Sequence, residues 1–401
     1  MLTTHSRLEI SVGNALLNIH LKPALQQPEW DDASQLQRVR KELATCPALV
    51  DAKDVCTLRS LLAEVAAGEA YVVQAGDCAE DPAECTVSDV ARKVGLLDVL
   101  AGTMKMNTHK PVVRVGRIAG QFCKPRSKPT EWVGGIELPA YRGHLVNSPE
   151  PDPEGRRPNP ERLFTCYRAA STVMNHLGWR NPSWQSRVDP PIWTSHEALL
   201  LDYEVPMLRQ DQQGRLLLSS THWPWIGERT RQLDGAHVAL LADVVNPVAC
   251  KIGPTMKVDE LLALCERLDS RRKKGRLTFI ARMGADTVAD RVPPLVEAVK
   301  AAGHPVIWLT DPMHGNTVIA RDGLKTRFLE KVIREVQDFQ SAVNKSGGVA
   351  GGLHLETTPD NVTECVLNEF QVDQVGDKYT SFCDPRLNPR QAVSVVSAWN
   401  G

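Results

Sequence analysis

The sequence predicts a (β/α)8 TIM barrel with an N-terminal helical extension and a long loop insertion after the second strand. From Tyr71 onward, short β-branched apolar runs alternate with segments of helical period, which indicates parallel strands joined by helical crossovers. Eight such runs lie within about 330 residues, which fits a closed (β/α)8 barrel better than an open doubly wound sheet. The alternative, a doubly wound dinucleotide-binding sheet, calls for GxGxxG after the first strand, where the chain has QAGDCAE.

The predicted strands are 71–76, 111–116, 191–196, 221–226, 247–253, 276–281, 305–310 and 351–356. Within the barrel, helices are predicted over 89–106, 161–177, 197–208, 229–244, 257–272, 289–302 and 324–344. Two amphipathic helices, 32–45 and 53–67, precede the first strand and begin at Asp31-Asp32 and Lys53-Asp54. We therefore divide the chain into a helical extension, 1–70, which carries no predicted chemistry, and a catalytic barrel, 71–401.

The connection between the second and third strands, 117–190, is much longer than the others. It contains the proline-rich stretch SPEPDPEGRRPNP, 148–160. Loops of this length inside a compact domain are usually lids or added subdomains. We therefore interpret the insertion as part of the functional site.

Composition excludes several classes of protein. The 401 residues carry a net charge of −1, with 42% hydrophobic and 24% charged residues, which disfavours nucleic-acid and membrane binding. The first residues lack the basic and apolar regions of a signal peptide. The ten cysteines contain no CxxC pair, which is typical of reduced thiols. A cytoplasmic location is expected.

Residues that can bind a metal follow the ends of several strands, where (β/α)8 enzymes place their catalytic groups. They are Cys78 in GDCAE, His314 in DPMHGNT, Glu356 in HLETT and Asp384 in FCDPRLNP. Asp311 and His354 are competing candidates. A set of thiolate, imidazole and carboxylate ligands suits Mn, Co, Fe or Zn better than Mg or Ca. Taken singly, Cys78 fits a buried thiol, and His314 an ordinary loop histidine, better than a metal ligand.

Basic residues also collect at predicted strand ends and in the insertion. They are Arg117, Lys124, Arg126, Arg229, Lys251 and Arg282. Without matching carboxylates, these cations predict a substrate, or two, with several negative charges. The alternative is that each is a solvated loop residue. Trp223 and Trp225 can wall a planar ligand or simply pack in the core.

The chain contains several distinctive segments, among them VVRVGRIAGQFCKPRSKPTE (112–131), GGIELPAYRGHLVN (134–147), WIGERTRQLDGAH (225–237), VIWLTDPMHGNT (306–317) and GGLHLETTPDNVTEC (351–365). These segments resemble the type II 3-deoxy-D-arabino-heptulosonate 7-phosphate (DAHP) synthases. The likeness extends from about residue 70 to 398. The family makes DAHP from phosphoenolpyruvate and erythrose 4-phosphate on a metal-containing barrel, the first step of the shikimate pathway that leads to chorismate and the aromatic amino acids.

The resemblance implies a role for each candidate residue. The metal ligands would be Cys78, His314, Glu356 and Asp384, with manganese as the favoured ion. The phosphoenolpyruvate pocket would contain Arg117, Trp225, Glu228, Arg229, Lys251 and Arg282. Lys124, Arg126 and Ser127 of the KPRS loop would bind erythrose 4-phosphate. Lys124, Glu228 and Lys251 would be catalytic, with Lys124 protonating the new alkoxide and Glu228 orienting water.

Two departures from the family pattern are His144, where Asp is usual, and Lys128, where a small residue is usual. We interpret both as tuning the lid or an interface. The short segment between the 161–177 helix and the third strand resembles members that serve phenazine biosynthesis, so we expect little feedback by aromatic amino acids. The resemblance also implies a homodimer or homotetramer.

Two other functions are compatible with the residues alone. One is a different metal-dependent barrel that condenses phosphoenolpyruvate, or an aldolase with another sugar phosphate. The other is a non-catalytic protein that binds polyanions, which the near-zero net charge disfavours.

Overall fold

The computed structural model describes residue 19, residues 21–180, residue 189 and residues 191–401. Eight parallel strands close into a barrel in the order β1-β2-β5-β8-β9-β10-β11-β14, which confirms the predicted fold class. The barrel strands are β1 (Tyr71–Gly76), β2 (Val112–Arg117), β5 (Trp193–Glu197), β8 (Trp223–Ile226), β9 (Val248–Ile252), β10 (Leu277–Ala281), β11 (Ile307–Thr310) and β14 (Val349–Glu356). Each overlaps a predicted strand.

Helices fill most of the connections. They are α1 (Ala33–Thr45), α2 (Ala52–Ala66), α3 (Val87–Thr108), α4 (Glu161–His176), α5 (Leu201–Glu204), α6 (Ala236–Asp243), α7 (Val258–Leu268), α8 (Val288–Ala301), α9 (Leu329–Lys345) and α10 (Pro389–Ser397). Two short 3-10 helices are Val205–Met207 and Glu369–Gln374. Among the described residues, no helix combines the length and apolar character that crossing a membrane requires.

Three antiparallel hairpins lie outside the barrel sheet, and none of them was predicted. They are β3 (Thr130–Val133) with β4 (Ile136–Pro139), β6 (Leu208–Gln210) with β7 (Leu216–Leu218), and β12 (Thr317–Ile319) with β13 (Lys325–Arg327). The first lies in the long insertion. Because each strand has only three or four residues, too little periodicity is available to predict it.

Three helix predictions were wrong in extent. The segment 197–208 forms only α5 and a 3-10 turn, since Pro206 supplies no N–H and the chain then enters β6. The helix predicted from residue 229 begins at Ala236, after Gly235. The helix predicted from residue 324 begins at Leu329, because Lys325–Arg327 is a strand.

Helix α2 closes the N-terminal end of the barrel. Its side chains Leu58, Leu62 and Val65 are fully buried and belong to one apolar cluster with inward-facing residues of the strands, including Val72 and Trp223. A second cluster fills the space between the strands and the outer helices. The boundary at residue 70 stays a prediction, but the described part of the extension packs on the barrel as part of its core.

All ten cysteines are free, and six of them are buried. The structure thus contains no disulfide framework, in agreement with the scattered spacing. Trp223 belongs to the packed interior and has no solvent-exposed surface. Trp225, two residues later, lines a cavity at the opposite end of the barrel.

Candidate active site

A cavity of about 880 Å³ opens at the C-terminal end of the barrel strands. The insertion after β2, the loops after β8 and β11, and the hairpin β12–β13 form its walls. The structure places all nine predicted substrate-binding residues in its lining: Arg117, Lys124, Arg126, Ser127, Trp225, Glu228, Arg229, Lys251 and Arg282. Residues far apart in the sequence therefore face one space large enough for two small phosphorylated molecules.

The four predicted metal ligands meet beside this cavity. Ligand atoms of Cys78, Glu356 and Asp384 all lie within 4.8 Å of one another. His314 Nε2 lies 3.3 Å from Glu356 Oε1 and 3.9 Å from Asp384 Oδ2. A thiol, an imidazole and two carboxylates in this arrangement are chemically suited to a borderline divalent ion.

Asp384 reaches the cluster differently from the other three residues. We expected it at or just after a strand end, but it lies in the loop before α10, well beyond β14. Arg386 anchors that loop through 2.8 Å ion pairs with Asp77 and Glu364. Lys325 binds the outer carboxylate oxygen of Asp384 at 2.8 Å. These contacts, rather than a strand, fix the position of the carboxylate.

The competing candidates Asp311 and His354 lie outside the cluster and support it. Asp311 Oδ2 accepts a 2.7 Å hydrogen bond from His314 Nδ1, which leaves Nε2 of His314 to face the other ligand atoms. Burial alone would raise the pKa of Asp311, but His314 and Lys251 hold it well below its usual range. His354 lies deeper, with Nε2 2.6 Å from Arg117 and Nδ1 2.6 Å from Gln74.

Most of the predicted cations have carboxylate partners, which corrects the expectation of cations without them. Lys251 pairs with Asp311 at 2.8 Å, and Arg126 pairs with Glu131. Arg117 and Lys124 both pair with Glu356. The physical reason is the cost of burying an unpaired charge. Within the part of the chain that the structure describes, Arg229 and Arg282 have no carboxylate at ion-pair distance.

Arg229 and Arg282 instead donate to neutral oxygens. Arg229 Nη2 donates to Ser127 Oγ at 2.7 Å, and Arg282 Nη2 donates to the backbone carbonyl of His314 at 3.3 Å. Both guanidinium groups line the cavity. Their positive charge is therefore available to an anion that enters it.

Arg117 lies beneath the cavity floor and is only 2% exposed. Its guanidinium donates to the carbonyls of Asp77 and Cys78 and to Glu356. Trp225 covers it, with the ring centroid 5.2 Å from the guanidinium carbon and 5.7 Å from the Lys251 ammonium nitrogen. Arg117 thus connects the loop after β1 to the end of β14, and its positive charge also raises the electrostatic potential of the cavity.

Lys124, which belongs to the insertion, contacts the cluster of predicted metal ligands. Its ammonium nitrogen lies 3.2 Å from Glu356 Oε1 and 3.3 Å from Asp384 Oδ2, and its side chain is 8% exposed. The backbone holds it there, because Lys124 N donates to the carbonyl of Arg142 at 2.8 Å. Gly143 permits this approach: it has a φ of +99°, and a Cβ would lie 2.2 Å from the Phe122 carbonyl oxygen.

Electrostatics favour ionised carboxylates in the cluster. Although burial opposes it, Lys124, Lys325 and His314 lower the pKa of Asp384, and His314, Lys124 and Arg327 hold the pKa of Glu356 well below its usual range. Burial raises the pKa of the Cys78 thiol, and nearby carboxylates raise it further. The two carboxylates are therefore ready as anionic ligands.

Sequence reasoning missed four residues of the site. Glu197 and Gln121 line the cavity, and Glu197 Oε1 is buried without a hydrogen-bond partner among the described residues. Glu197 ends β5, so the strand-end rule that identified the others would have identified it too. Arg327 binds Glu356 Oε2 at 2.9 Å. Arg327 and Lys325 lie on β13, inside the stretch predicted as helix. Because of that prediction, they were not considered as residues of the site.

The two departures from the family pattern occupy different places. His144 Nδ1 lies 2.7 Å from the Tyr141 hydroxyl, and its ring meets Phe382 edge-on at 5.4 Å. It thereby links the insertion to the loop that carries Asp384. Lys128 lines the outer part of the cavity and is exposed.

Comparison with known proteins agrees with the resemblance. The model of the class-II DAHP synthetase family matches residues 15–183 and 178–398. The chain is 58% identical over 377 residues to a probable phospho-2-dehydro-3-deoxyheptonate aldolase of Pseudomonas fluorescens, covering 94% of each chain. It is 40% identical to the phospho-2-dehydro-3-deoxyheptonate aldolase of Streptomyces coelicolor, covering 98% of each.

A solved structure supports the fold alone. Phospho-2-dehydro-3-deoxyheptonate aldolase from Francisella tularensis SCHU S4 aligns with a TM-score of 0.50 and 16% identity. The alignment covers 96% of this chain and 97% of that one.

Proposed function

The chain belongs to the class-II DAHP synthetase family, and from this premise we propose that it condenses phosphoenolpyruvate with D-erythrose 4-phosphate and water, releasing DAHP and inorganic phosphate. One observation carries the proposal. A cluster of Cys78, His314, Glu356 and Asp384 contacts Lys124 of the KPRS loop, in a cavity where Arg229 and Arg282 have no carboxylate partners among the described residues.

Cys78, His314, Glu356 and Asp384 would hold a divalent metal, with manganese favoured over cobalt, iron or zinc. Their donor atoms are of types that suit such an ion, and the distances between them are short enough for one ion to bridge them. A bound ion would supply Lewis acidity that polarises the aldehyde of erythrose 4-phosphate.

The residues around Trp225 form the proposed phosphoenolpyruvate pocket. Arg229 and Arg282 would bind the phosphate of phosphoenolpyruvate, because these two arginines lack carboxylate partners in the described structure. Lys251 would bind the same phosphate. Lys251 and Arg117 would face its carboxylate from the floor, and Trp225 would cover the planar enol. Fixing a highly charged substrate in one pose lowers the barrier, since the entropy of alignment is lost on binding.

Arg126 and Ser127 would bind the phosphate of erythrose 4-phosphate, which places its aldehyde toward Lys124. The methylene carbon of phosphoenolpyruvate then forms a bond to the aldehyde carbon, and Lys124 donates a proton to the resulting alkoxide. Glu228 orients a water that adds to the former enol carbon. The hemiketal phosphate then expels inorganic phosphate, which completes the reaction.

The decisive experiment follows phosphoenolpyruvate absorbance after erythrose 4-phosphate and manganese are added together. Absorbance is expected to fall, with one phosphate released per phosphoenolpyruvate consumed. The same assay with other aldose phosphates tests for a different condensing or aldolase activity. Equal turnover with those aldehydes, or no turnover with erythrose 4-phosphate, would contradict the proposal.

We further propose that the protein is a cytoplasmic homo-oligomer whose product, DAHP, leads to chorismate for secondary metabolism of the phenazine type. The support is the short connection between α4 and β5, of which residues 181–188 and 190 lie outside the described residues. A short connection leaves little chain for an effector site. Phe, Tyr and Trp should therefore inhibit weakly, and inhibition at micromolar concentrations would contradict this part of the proposal.

A further inference from the structure

Residues 22–30, which we name the rim strap, cross the active-site end of the barrel and bind three of its loops. The Pro23 carbonyl accepts a hydrogen bond from Ala236 N at 2.9 Å, beyond β8. The Gln27 amide bonds to Leu199 O and Leu201 N, both at 2.9 Å, beyond β5. A segment predicted to carry no chemistry thus lies on the rim of the proposed active site.

Gln26 connects the rim strap to the insertion. Its side-chain Oε1 accepts a 2.8 Å hydrogen bond from Arg126 N, and its carbonyl accepts one of 3.1 Å from Arg142 Nη1. The Arg142 carbonyl in turn accepts from Lys124 N. Gln26 therefore contacts both segments that present the KPRS loop to the cavity.

The backbone of Gln26 is in the left-handed region, with a φ of 63°. This conformation is unfavourable for a residue with a side chain, so the surrounding contacts must maintain it. It directs the side chain and the carbonyl of one residue to two different points of the insertion. The residue with the unfavourable backbone conformation, Gln26, is thus the residue that holds the KPRS loop.

We propose that Gln26 is a positioning residue for erythrose 4-phosphate, acting through the backbone of Arg126. This inference rests on the proposed function, because it takes Arg126 as a ligand of the erythrose 4-phosphate phosphate. With its N–H held by Gln26, the loop is ordered before substrate arrives, and binding loses less conformational entropy. Phosphoenolpyruvate should gain much less, since its pocket lies around Trp225 and Lys251 and touches the loop only through the hydrogen bond from Arg229 to Ser127.

The kinetic test uses Gln26→Met, which preserves length and removes the acceptor oxygen. The Michaelis constant for erythrose 4-phosphate should rise about fivefold, equivalent to about 1 kcal/mol and typical of one hydrogen bond. The constant for phosphoenolpyruvate and kcat should stay within about twofold. An unchanged erythrose 4-phosphate constant, or equal rises for both substrates, would overturn the inference.

Two matched variants separate positioning from general damage to the rim strap. Gln27→Met removes the bonds to the β5 loop, so it should lower the melting temperature but leave the erythrose 4-phosphate constant unchanged. Glu29→Ala alters an exposed side chain and should change neither. A rise in the erythrose 4-phosphate constant with Gln27→Met as large as with Gln26→Met would count against a specific role.

Hydrogen–deuterium exchange of the substrate-free, full-length protein gives a readout independent of activity. Gln26→Met should speed exchange at the Arg126 amide, and Gln27→Met should not. Unchanged exchange at Arg126 would refute the inference even in an active enzyme. If the wild type fails to condense the two substrates while exchange rises as expected, the proposed function fails but the loop contact is upheld.

Discussion

The two ends of the barrel differ sharply in chemistry. At the N-terminal end, α2 inserts Leu58, Leu62 and Val65 among apolar strand residues such as Val72 and Trp223. At the C-terminal end, Glu356 alone pairs with three cations: Arg117, Lys124 and Arg327. The N-terminal end stabilises the fold through apolar burial. The C-terminal end buries charges, and the free-energy cost of removing them from water must be offset by apolar burial elsewhere in the protein.

This contrast predicts that changes at the two ends have different consequences. A change at the charged end should remove activity and leave the fold when it leaves no buried charge without a partner, because an unpaired buried charge is what destabilises. A change at the apolar end should destabilise the fold and leave the site geometry. The experiments below test that separation, beginning with the largest effect.

Replacing Cys78 or His314 by Ala should abolish metal-dependent turnover, because each removes one donor from the cluster. The loss should exceed about 100-fold, the upper range for residues that only orient a ligand. Circular dichroism and the melting temperature should remain close to wild type. Full activity of metal-free Cys78→Ala would contradict the proposal that a metal bound by Cys78 is required for turnover. It would also remove the predicted difference between the two ends of the barrel.

At the apolar end, Leu62→Ala should lower the free energy of unfolding by about 2–5 kcal/mol, because it leaves a cavity beneath the strands. Denaturant titration measures the loss. Michaelis constants of the folded protein should not change. Leu61→Ala, at a neighbouring position that is 37% exposed, is the control and should cost far less. A large rise in either Michaelis constant for Leu62→Ala would show that the two ends are coupled.

Within the charged end, Arg126→Ala and Arg229→Ala should affect different substrates, because the two arginines are assigned to different pockets of the cavity. Arg126→Ala should raise the Michaelis constant for erythrose 4-phosphate more than that for phosphoenolpyruvate, and Arg229→Ala should do the reverse. Loss of a charged hydrogen bond predicts an effect of about ten- to a hundredfold on the affected substrate. Initial rates with each substrate varied in turn provide the measurement, and equal effects on both substrates would argue against separate pockets.

Buried charge at the active-site end also predicts a pH dependence of stability from Glu335 on α9. Burial raises its pKa from 4.5 to about 8, although it accepts hydrogen bonds from Met283 N, Gly284 N and Asn316. A carboxyl group with a raised folded-state pKa binds its proton more tightly in the folded than in the unfolded protein. Its contribution to the free energy of unfolding therefore decreases as pH rises from about 4.5 to about 8.

Urea titrations across this pH range should show that the decrease is shallower in Glu335→Gln, whatever constant cost the amide adds. Glu330→Gln, at an exposed position on the same helix, should keep the wild-type slope. An identical slope in Glu335→Gln and the wild type would assign the pH dependence to other groups.

Much of the fold was predictable from periodicity. The strands that form the barrel are short apolar runs between turns, and this pattern survives because both faces of a barrel strand are buried. Helix starts were harder to predict. The stretch 229–235 has helical composition but forms turns at the cavity rim, where Arg229 must face Ser127. Tertiary contacts override local propensity at such places.

The candidate site was predictable where residues lie at or just after strand ends, as Cys78, Lys251 and Glu356 do. Asp384 gives no such signal, since its loop is held by Arg386 binding to Asp77 and Glu364. The pairing of Lys251 with Asp311 was also not predictable. Which carboxylate compensates which cation depends on side-chain directions across neighbouring strands, and one sequence does not encode these as a pattern.

The sequence by itself determined the alternating strands and helices, the chemical types of residue at the strand ends and the likeness to a family of synthases. Only the tertiary structure decided that four donors lie close together, that Arg229 and Arg282 lack carboxylate partners among the described residues, and that Gln26 contacts Arg126, 100 residues later in the chain. The reason is physical. Periodicity and composition are local properties of the chain, whereas charge compensation and ligand geometry depend on distances in space between segments far apart in sequence.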